Sequence, residues 1–139
     1  MSNLDIVKNT YETFGRGDIQ GVLALMDSEM EWCEAEGNPY MPSGEPWVGP
    51  DEILNNLFMK LGAEWDPFIV QPQTYHDAGD TIIVEGRYRG TYKKTGKSMD
   101  IQVCHIWEVR DGKLTKFQQY INTSELQNVM GVRSEAYKV

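Results

Sequence analysis

The chain has 139 residues, of which 40% are hydrophobic and 24% charged, and 13 Lys+Arg against 21 Asp+Glu give it a formal net charge of −8. This size and composition are typical of one globular domain with its own core, and they argue against a disordered chain. The acidic balance argues against binding to nucleic acid or to an anionic membrane, because such binding draws its affinity from Lys and Arg.

The N-terminal residues contain no cationic segment followed by an apolar run, and no stretch approaches the roughly 18 apolar residues of a membrane span. We therefore expect a cytoplasmic protein that does not cross a membrane. The two cysteines, Cys33 and Cys104, lack the close Cys or His spacing of a zinc site, and we interpret them as buried thiols.

Apolar residues at spacings of three and four predict two helices at the start of the chain. The first covers residues 3–16, with Ser2 or Asn3 as its N-cap, and the second is short and begins after Asp18. Residues 30–34 are typical of a strand. The Pro- and Gly-rich segment GNPYMPSGEPWVGP that follows them predicts a loop.

A third helix and a run of strands are predicted after this loop. Pro50 begins the helix and Gly62 ends it, with an apolar stripe between them. Beyond the helix the hydrophobic period changes to two, which predicts successive hairpins from strands near 67–76, 81–93, 98–109 and 114–122.

One domain is expected over residues 3–130, and residues 131–139 are interpreted as a tail. Helices followed by hairpins predict an α+β fold, in which helices cover one side of an antiparallel sheet. The last two strands carry apolar residues in both phases, with Leu114 and Tyr120 placed opposite Phe117. Because a half-solvated sheet alternates more cleanly, we expect a homodimer formed through the outer sheet face.

His105 is the first candidate functional residue, because it shares a strand face with Val103, Trp107 and Val109. If this face points inward, the imidazole lines an apolar space where its pKa can be displaced and its nitrogens can serve a ligand. The alternative is a core histidine that a backbone carbonyl satisfies.

Glu34 is the second candidate, at the end of the first strand and just before the loop. A carboxylate beside Trp32 and Cys33 can have a raised pKa and act as a general base. The alternative is that Glu31, Glu34 and Glu36 form a solvated acidic edge, because glutamates are seldom buried.

Aromatic residues would form a large apolar lining if they converged, and such a lining suits a steroid-like or polyketide-like ligand. The alternative is that they fill the core. No metal-ligand spacing or Gly-rich phosphate loop occurs, and we expect no metal site and no cofactor. The candidates for substrate binding are Trp32, Trp47, Phe58, Trp65, Trp107 and Gln118.

The order and spacing of several segments resemble the NTF2-like superfamily, in its ketosteroid-isomerase-related and SnoaL-like branch. The segments are GDIQGVLALMDSEMEWCEAEG, WVGPDEIL, HIWEVRDGKL and FQQYINTSEL, and the resemblance covers about residues 3–130. It implies a curved antiparallel sheet, wrapped by three helices into a cone around a pocket. It also implies dimers, which are common in the superfamily, and a choice among isomerases, cyclases and binding modules.

The isomerases of this superfamily suggest roles for two residues. Glu34 falls where they carry the carboxylate that moves a proton next to a carbonyl, and His105 falls where they place the protonated acid of the oxyanion hole. Their oxyanion tyrosine corresponds to Thr10 here. Tyr11 is one position away, on a different side of the helix, so that donor is expected to be missing.

The cyclases of the superfamily have Tyr-x-Asp-Thr on the last strand, where the aspartate is the acid/base. This chain has Tyr120-Ile121-Asn122-Thr123 instead. Asn122 cannot take a proton, although its amide can orient a carbonyl or a water. Tyr120 is a candidate replacement for the missing tyrosine of helix 1.

The first hypothesis of function is a cofactor-independent enzyme of isomerase or cyclase type. Glu34 would abstract a proton next to a carbonyl of an apolar substrate, and His105, with Tyr120 or Asn122, would stabilise the enolate. The second hypothesis is a dimeric module that binds an apolar ligand without chemistry. A third is a dimerisation domain whose own side chains fill the cavity, which would then show no ligand-sized void.

Overall fold

The structure, a computed structural model, describes residues 1–132, and the tail expected at 131–139 falls outside the described residues from position 133 onwards. The helices are α1 (Asn3–Gly15), α2 (Ile19–Ala24), α3 (Pro50–Ile53), α4 (Met59–Glu64) and α5 (Thr123–Met130). The strands are β1 (Met26–Cys33), β2 (Trp47–Val48), β3 (Trp65–Ala78), β4 (Thr81–Tyr92), β5 (Ser98–Arg110) and β6 (Lys113–Ile121).

The first two helices begin where the sequence predicts. Ser2 caps α1 in a capping box, since its hydroxyl accepts from the Asp5 N–H at 3.0 Å while the Asp5 carboxylate accepts from the Ser2 N–H at 3.3 Å. Asp18 caps α2 by accepting from the Gly21 N–H at 2.9 Å. These bonds satisfy backbone donors that the helices leave open.

The third predicted helix contains an irregular turn. α3 and α4 are joined without a break by a π-helical turn, Leu54–Phe58, and the Met59 N–H bonds back five residues to the Leu54 carbonyl. Its extra residue buries Leu57 and Phe58 together on the inner side of the helix. This turn therefore supplies part of the wall of the cavity described below.

The six strands form one curved sheet in the order β2-β1-β6-β5-β4-β3. Every neighbouring pair is antiparallel except β1 and β6, which run parallel. α1 packs across β3, β4 and β5, and α4 packs on β3. The α+β fold and the cone of sheet and helices predicted from the sequence are confirmed, with the parallel β1–β6 pair as an addition.

The inner face of the sheet carries the core. On β5 the buried residues include Ile101, Val103, His105 and Trp107, so the predicted face of His105 points inward, with Ile101 in the same phase. On β6 the expected phase is wrong for one residue. The pairing slips between Glu108 and Val109, and this bulge puts Leu114 on the same face as Phe117 and Gln119.

The outer face is more polar than the sequence suggests. Arg87 bonds Asp100 on the neighbouring strand at 2.6 Å, and His76 bonds Glu85 at 2.7 Å. Both cysteines lie half-buried on this side instead of in the core. None of the helices within residues 1–132 has the length and apolar character needed to cross a membrane.

Candidate functional site

A cavity lies between the inner face of the sheet and the helices. Its walls are mostly apolar, from residues such as Trp32, Leu57, Phe58, Trp107 and Phe117. The cavity volume is about 60 Å³, which is enough for a few water molecules. A ligand with several rings would need side chains to move. Six residues bring polar groups to the cavity, and we call them the polar wall: Tyr11, Glu34, Asn38, Tyr88, His105 and Gln119.

His105 lies at the centre of a chain of hydrogen bonds in this wall. Its Nδ1 is 2.5 Å from the hydroxyl of Tyr11, and its Nε2 is 2.6 Å from the hydroxyl of Tyr88. The indole N–H of Trp107 donates to the Tyr11 oxygen at 2.9 Å, and the amide of Gln119 donates to the Tyr88 oxygen at 3.0 Å. Both imidazole nitrogens are therefore occupied by phenol groups of the protein.

The amide of Gln119 is held in one orientation. Its Oε1 accepts from the Ala35 N–H at 3.3 Å and from the Nδ2 of Asn38 at 2.9 Å. The Asn38 amide is itself fixed, because its Oδ1 accepts from the Tyr40 N–H at 2.9 Å. Two backbone donors thus decide which end of each amide is the donor, and Gln119 must present N–H to Tyr88.

His105 is neutral in this site. It is 3% exposed, and burial lowers its pKa from an ordinary 6.5 to about 3, because an imidazolium would lose its hydration there. Burial also raises the pKa of Tyr11 and of Tyr88 well above 10, so both stay protonated phenols. At the position that the resemblance matches to a protonated acid of the isomerases, this chain therefore has a neutral ring between two hydroxyls.

Glu34 is buried in the polar wall. It therefore does not belong to a solvated acidic edge, which was the alternative interpretation of its sequence. Burial raises its pKa to about 8, and the nearby indole of Trp32 only partly offsets this rise. Its Oε2 has no hydrogen-bond partner within the described residues. The indole nitrogen of Trp32 has none either, so the two groups do not form a hydrogen bond with each other. A buried polar atom without a partner is uncommon and is typical of a functional site.

Three of the six expected substrate-binding residues line the cavity, namely Trp32, Phe58 and Trp107. They stack edge-on, with Trp32 ring centroids 5.3 Å from Phe58 and 5.7 Å from Trp107. Glu34 and His105 line the same space. The structure therefore brings together five of the residues predicted from the sequence.

The other expected residues lie elsewhere. Trp65 is buried behind the cavity wall, where its indole donates to the Tyr40 hydroxyl at 2.8 Å. Trp47 borders a separate surface depression. Gln118 and Tyr120 are in the outward phase of β6, and Tyr120 is 55% exposed, because Gln119 takes the inward position between them.

Asn122 also lies away from the cavity. Its side chain caps α5 by accepting from the Glu125 N–H at 3.1 Å. The amide that stands in place of the cyclase aspartate therefore has a structural role here, and it is not available to orient a carbonyl.

Four residues of the polar wall were not predicted from the sequence: Tyr11, Asn38, Tyr88 and Gln119. Tyr11 was expected to lie on the wrong side of its helix, but it reaches His105 across the cavity. Tyr88 and Gln119 could have been found from the alternation along β4 and β6, because each is in the same phase as buried apolar residues of its strand. Nothing in the sequence around Asn38 indicated a buried amide.

No group of three or more His, Cys, Asp or Glu side chains within residues 1–132 is arranged to hold a metal ion. The polar wall contains two phenols, one imidazole, one carboxyl and two amides. Such a set can hold and move protons and donate hydrogen bonds to an oxygen atom.

A family model of the SnoaL-like domain matches residues 7–117, so the chain belongs to the SnoaL-like family, within the NTF2-like fold. The resemblance predicted from the sequence is thereby confirmed. No curated protein matches the chain in sequence.

Solved structures of similar fold include an NTF2-like protein from Burkholderia thailandensis E264, with 37% identity and a TM-score of 0.88 over 94% of this chain and 98% of that one. TerC, co-crystallised with polyporic acid, has 23% identity and a TM-score of 0.82 over 93% of this chain and 98% of that one. IdmH, a candidate polyketide cyclase from Streptomyces antibioticus, has 20% identity and a TM-score of 0.74 over 92% and 97%. The last two likenesses are likenesses of fold.

Proposed function

We propose that this protein catalyses proton transfer next to a carbonyl group of an apolar small molecule, without a cofactor. The observation that carries the proposal is Glu34, a buried carboxyl with an unpartnered oxygen in the same apolar cavity as a chain of phenol and imidazole groups. A carboxyl in such a place has the raised pKa that acid–base catalysis at neutral pH requires.

The reaction has two balanced steps. Glu34 takes a proton from the carbon next to the carbonyl, the C–H electron pair moves into the enolate, and its oxygen accepts a hydrogen bond from the phenol–imidazole network. Glu34 then returns the proton to another carbon, which gives an isomer. Alternatively, the enolate carbon attacks a second carbonyl, whose C=O π pair moves to its oxygen, and that oxygen takes the proton from Glu34 as the ring closes. Both outcomes belong to the isomerase or cyclase type expected from the sequence.

Two proteins of this fold suggest where to look for a substrate. TerC was co-crystallised with polyporic acid, and IdmH is a candidate polyketide cyclase. These are analogies of fold, and they make carbonyl-containing organic molecules the class to test first. Because the cavity is narrow, single-ring ketones are the first probes and tetralones the second.

The experiment measures exchange of α-hydrogens for deuterium in D₂O, followed by NMR, with cyclohexanones and tetralones as probes. This readout detects proton abstraction before any product is known. We expect exchange with the wild-type protein and a loss of about a hundredfold or more in Glu34→Gln, which keeps the shape and removes the base. Glu36→Gln, an exposed neighbour, is the matched control and should exchange at the wild-type rate.

A non-catalytic module that binds an apolar ligand is the second candidate. It is favoured by the bonding of His105, because Tyr11 and Tyr88 already occupy both nitrogens of its imidazole. The same experiment separates the two. Saturable binding of a probe without any exchange above the solvent rate favours the binding module, and exchange that survives Glu34→Gln excludes this carboxylate as the proton shuttle.

A further inference from the structure

The chain of hydrogen bonds around His105 has fixed donors at both ends. The Trp107 indole can only donate, and it donates to the oxygen of Tyr11. The Gln119 amide presents N–H to the oxygen of Tyr88, because the backbone N–H of Ala35 fixes the other end of that amide. Each phenol oxygen therefore already receives one hydrogen from outside the Tyr–His–Tyr unit.

The neutral imidazole between the two phenols has one N–H and one bare nitrogen. One tyrosine must donate its hydroxyl hydrogen to the bare nitrogen, and the other must accept the imidazole N–H. The accepting phenol then keeps a hydroxyl hydrogen that no group within the described residues takes up. The unit thus leaves one O–H free to donate into the cavity.

The position of Glu34 decides which tyrosine has the free hydrogen. Glu34 adjoins Ala35, whose N–H bonds Gln119, and Gln119 in turn bonds Tyr88. Tyr11 is at the far end of the unit, beyond the imidazole, where it contacts Trp107 and lies edge-on to Tyr75. The charge of the Glu34 carboxyl contributes to the raised pKa of Tyr88 but not to that of Tyr11, so it acts on the Tyr88 hydroxyl. When this carboxyl is ionised it attracts the positive end of that hydroxyl, and this favours the arrangement in which Tyr88 is the free donor.

We propose that Tyr88 is the residue that donates a hydrogen bond to the carbonyl oxygen of the substrate, and that His105, as its Nε2–H tautomer, positions it. This inference rests on the proposed function. In this tautomer Tyr88 accepts from the imidazole as well as from the Gln119 amide, so its oxygen is fixed and its own hydrogen must point elsewhere. His105 touches no reacting atom and is a positioning residue.

The assignment also limits the substrate. The free hydroxyl hydrogen of Tyr88 requires an acceptor atom on the substrate. Glu34 requires an acidic C–H on the substrate carbon next to that acceptor group. An enolisable ketone satisfies both requirements with one functional group. A ligand that presents only a hydroxyl beside a saturated ring lacks the acidic C–H, and we expect no exchange from it.

Nitrogen NMR of the intact protein labelled with ¹⁵N-histidine tests the tautomer directly. The chain contains only two histidines, and the exposed His76 is identified by its disappearance in His76→Gln. At pH 9, where the Glu34 carboxyl with its pKa of about 8 is ionised, we expect His105 to show a protonated Nε2 and a bare Nδ1. A protonated Nδ1, or a doubly protonated ring, would overturn the inference.

Two variants sharpen this result. Tyr11→Phe removes the hydroxyl that donates to Nδ1, and the Nε2–H form should persist. Tyr88→Phe removes the acceptor of Nε2–H, and the proton should move to Nδ1, where the Tyr11 oxygen can accept it. The reverse pattern, in which Tyr11→Phe moves the proton, assigns the free hydroxyl to Tyr11 and contradicts the proposal. If Tyr88→Phe does not fold, the wild-type and Tyr11→Phe spectra still decide.

The exchange assay completes the test. Tyr88→Phe should lower α-hydrogen exchange about a hundredfold, as expected for loss of an oxyanion donor, and Tyr11→Phe should lower it less. Equal losses in the two variants would contradict the role of Tyr88. A protonated Nδ1 together with exchange that depends on Glu34 would sink this inference alone, whereas an Nε2–H tautomer without any exchange would sink the proposed function.

Discussion

Two buried titratable residues, Glu34 and His105, share one cavity and are both held in their uncharged forms. The folded state raises the pKa of Glu34 from 4.5 to about 8 and lowers the pKa of His105 from 6.5 to about 3, in both cases by burial. Each shift links folding to pH, and the two shifts act in opposite directions.

The first prediction concerns stability against pH. Below pH 4.5 the Glu34 carboxyl is protonated in both states, and its contribution to the free energy of unfolding is then fully present. This contribution is lost as pH rises from 4.5 to about 8, because the unfolded state releases the proton more easily. His105 contributes fully above pH 6.5, and its contribution falls as pH drops toward about 3. We expect the two slopes to cancel between pH 4.5 and 6.5, and the free energy of unfolding to decline by about 1.4 kcal/mol per pH unit from 6.5 to 8.

Urea denaturation of Glu34→Gln isolates the carboxyl group, because glutamine cannot ionise. The decline between pH 6.5 and 8 should disappear in this variant, and its stability relative to the wild-type protein should grow with pH. A wild-type profile that stays parallel to that of Glu34→Gln from pH 5 to 8 would show that Glu34 keeps an ordinary pKa.

The second prediction concerns activity against pH. A base whose pKa is about 8 is mostly protonated at pH 7, so α-hydrogen exchange should rise nearly tenfold per pH unit and level off above pH 8. Measurements of kcat/KM for the exchange of a cyclohexanone over pH 5.5 to 9 check this. A rate that is already flat at pH 6 would contradict the assignment of Glu34 as the base.

The third prediction is the cost of removing the imidazole. His105→Ala leaves the hydroxyls of Tyr11 and Tyr88 without their shared partner and opens a void, so we expect a loss of about 2–5 kcal/mol of unfolding free energy. His76→Ala is the matched control. His76 is exposed in a surface pair with Glu85, and its loss should change stability little. Thermal and urea unfolding of both variants measure the difference.

At the scale of elements, β4 curves where β3 approaches it closely. A side-chain carbon at Gly86 would lie 2.4 Å from the Gln71 carbonyl oxygen, and one at Gly90 would lie 2.5 Å from the Pro67 carbonyl oxygen. The pairing of β3 with β4 shifts near both points. The two glycines therefore allow the bulged edge strand to fold over the cavity.

The fourth prediction follows from this contact. Gly86→Ala should destabilise the protein, by about 1–3 kcal/mol, because backbone atoms must shift to admit the methyl group. Gly62→Ala is the matched control, since nothing lies within 4 Å of the new carbon and the residue is inside α4. There the change should stabilise by up to about 1 kcal/mol. Equal midpoints of urea unfolding for both variants would contradict this account.

The whole molecule presents an outer sheet face with large exposed side chains. Ile69 is 47% exposed and Tyr120 is 55% exposed, and half-buried Ile106 and Cys104 lie between the polar pairs. Exposed apolar side chains that polar residues surround are found at interfaces between protein chains. A second copy of the chain remains the partner we propose for this face.

The fifth prediction is a homodimer, with twice the chain mass of 15.9 kDa, in sedimentation at micromolar concentration. Tyr120→Asp places a charge in the middle of the proposed interface and should give monomers, with an unchanged unfolding transition of the monomer. Lys94→Asp, at an exposed turn remote from this face, is the control and should remain dimeric. A single wild-type species near 15.9 kDa would contradict the dimer.

The sequence by itself determined the α+β class of this protein and the order of its main helices and hairpins, but not the parallel pairing of β1 with β6. Its caps, its Pro- and Gly-rich loop and its change from helical to alternating periodicity are local signals, and each predicted an element that the structure contains. Local signals suffice there because a helix or a hairpin depends on residues close in sequence. The same alternation put His105 on one strand face with Val103 and Trp107, and the structure shows that this face is the inner one.

Only the tertiary structure decided the composition of the polar wall. A one-residue bulge between Leu114 and Lys116 sets the phase of β6, and this phase turns Gln119 inward and Tyr120 outward. Tyr11 meets His105 across 94 positions of the sequence. Such contacts depend on the register of strands and the angle of α1, which no local pattern encodes, because a shift of one residue exchanges the two faces of a strand.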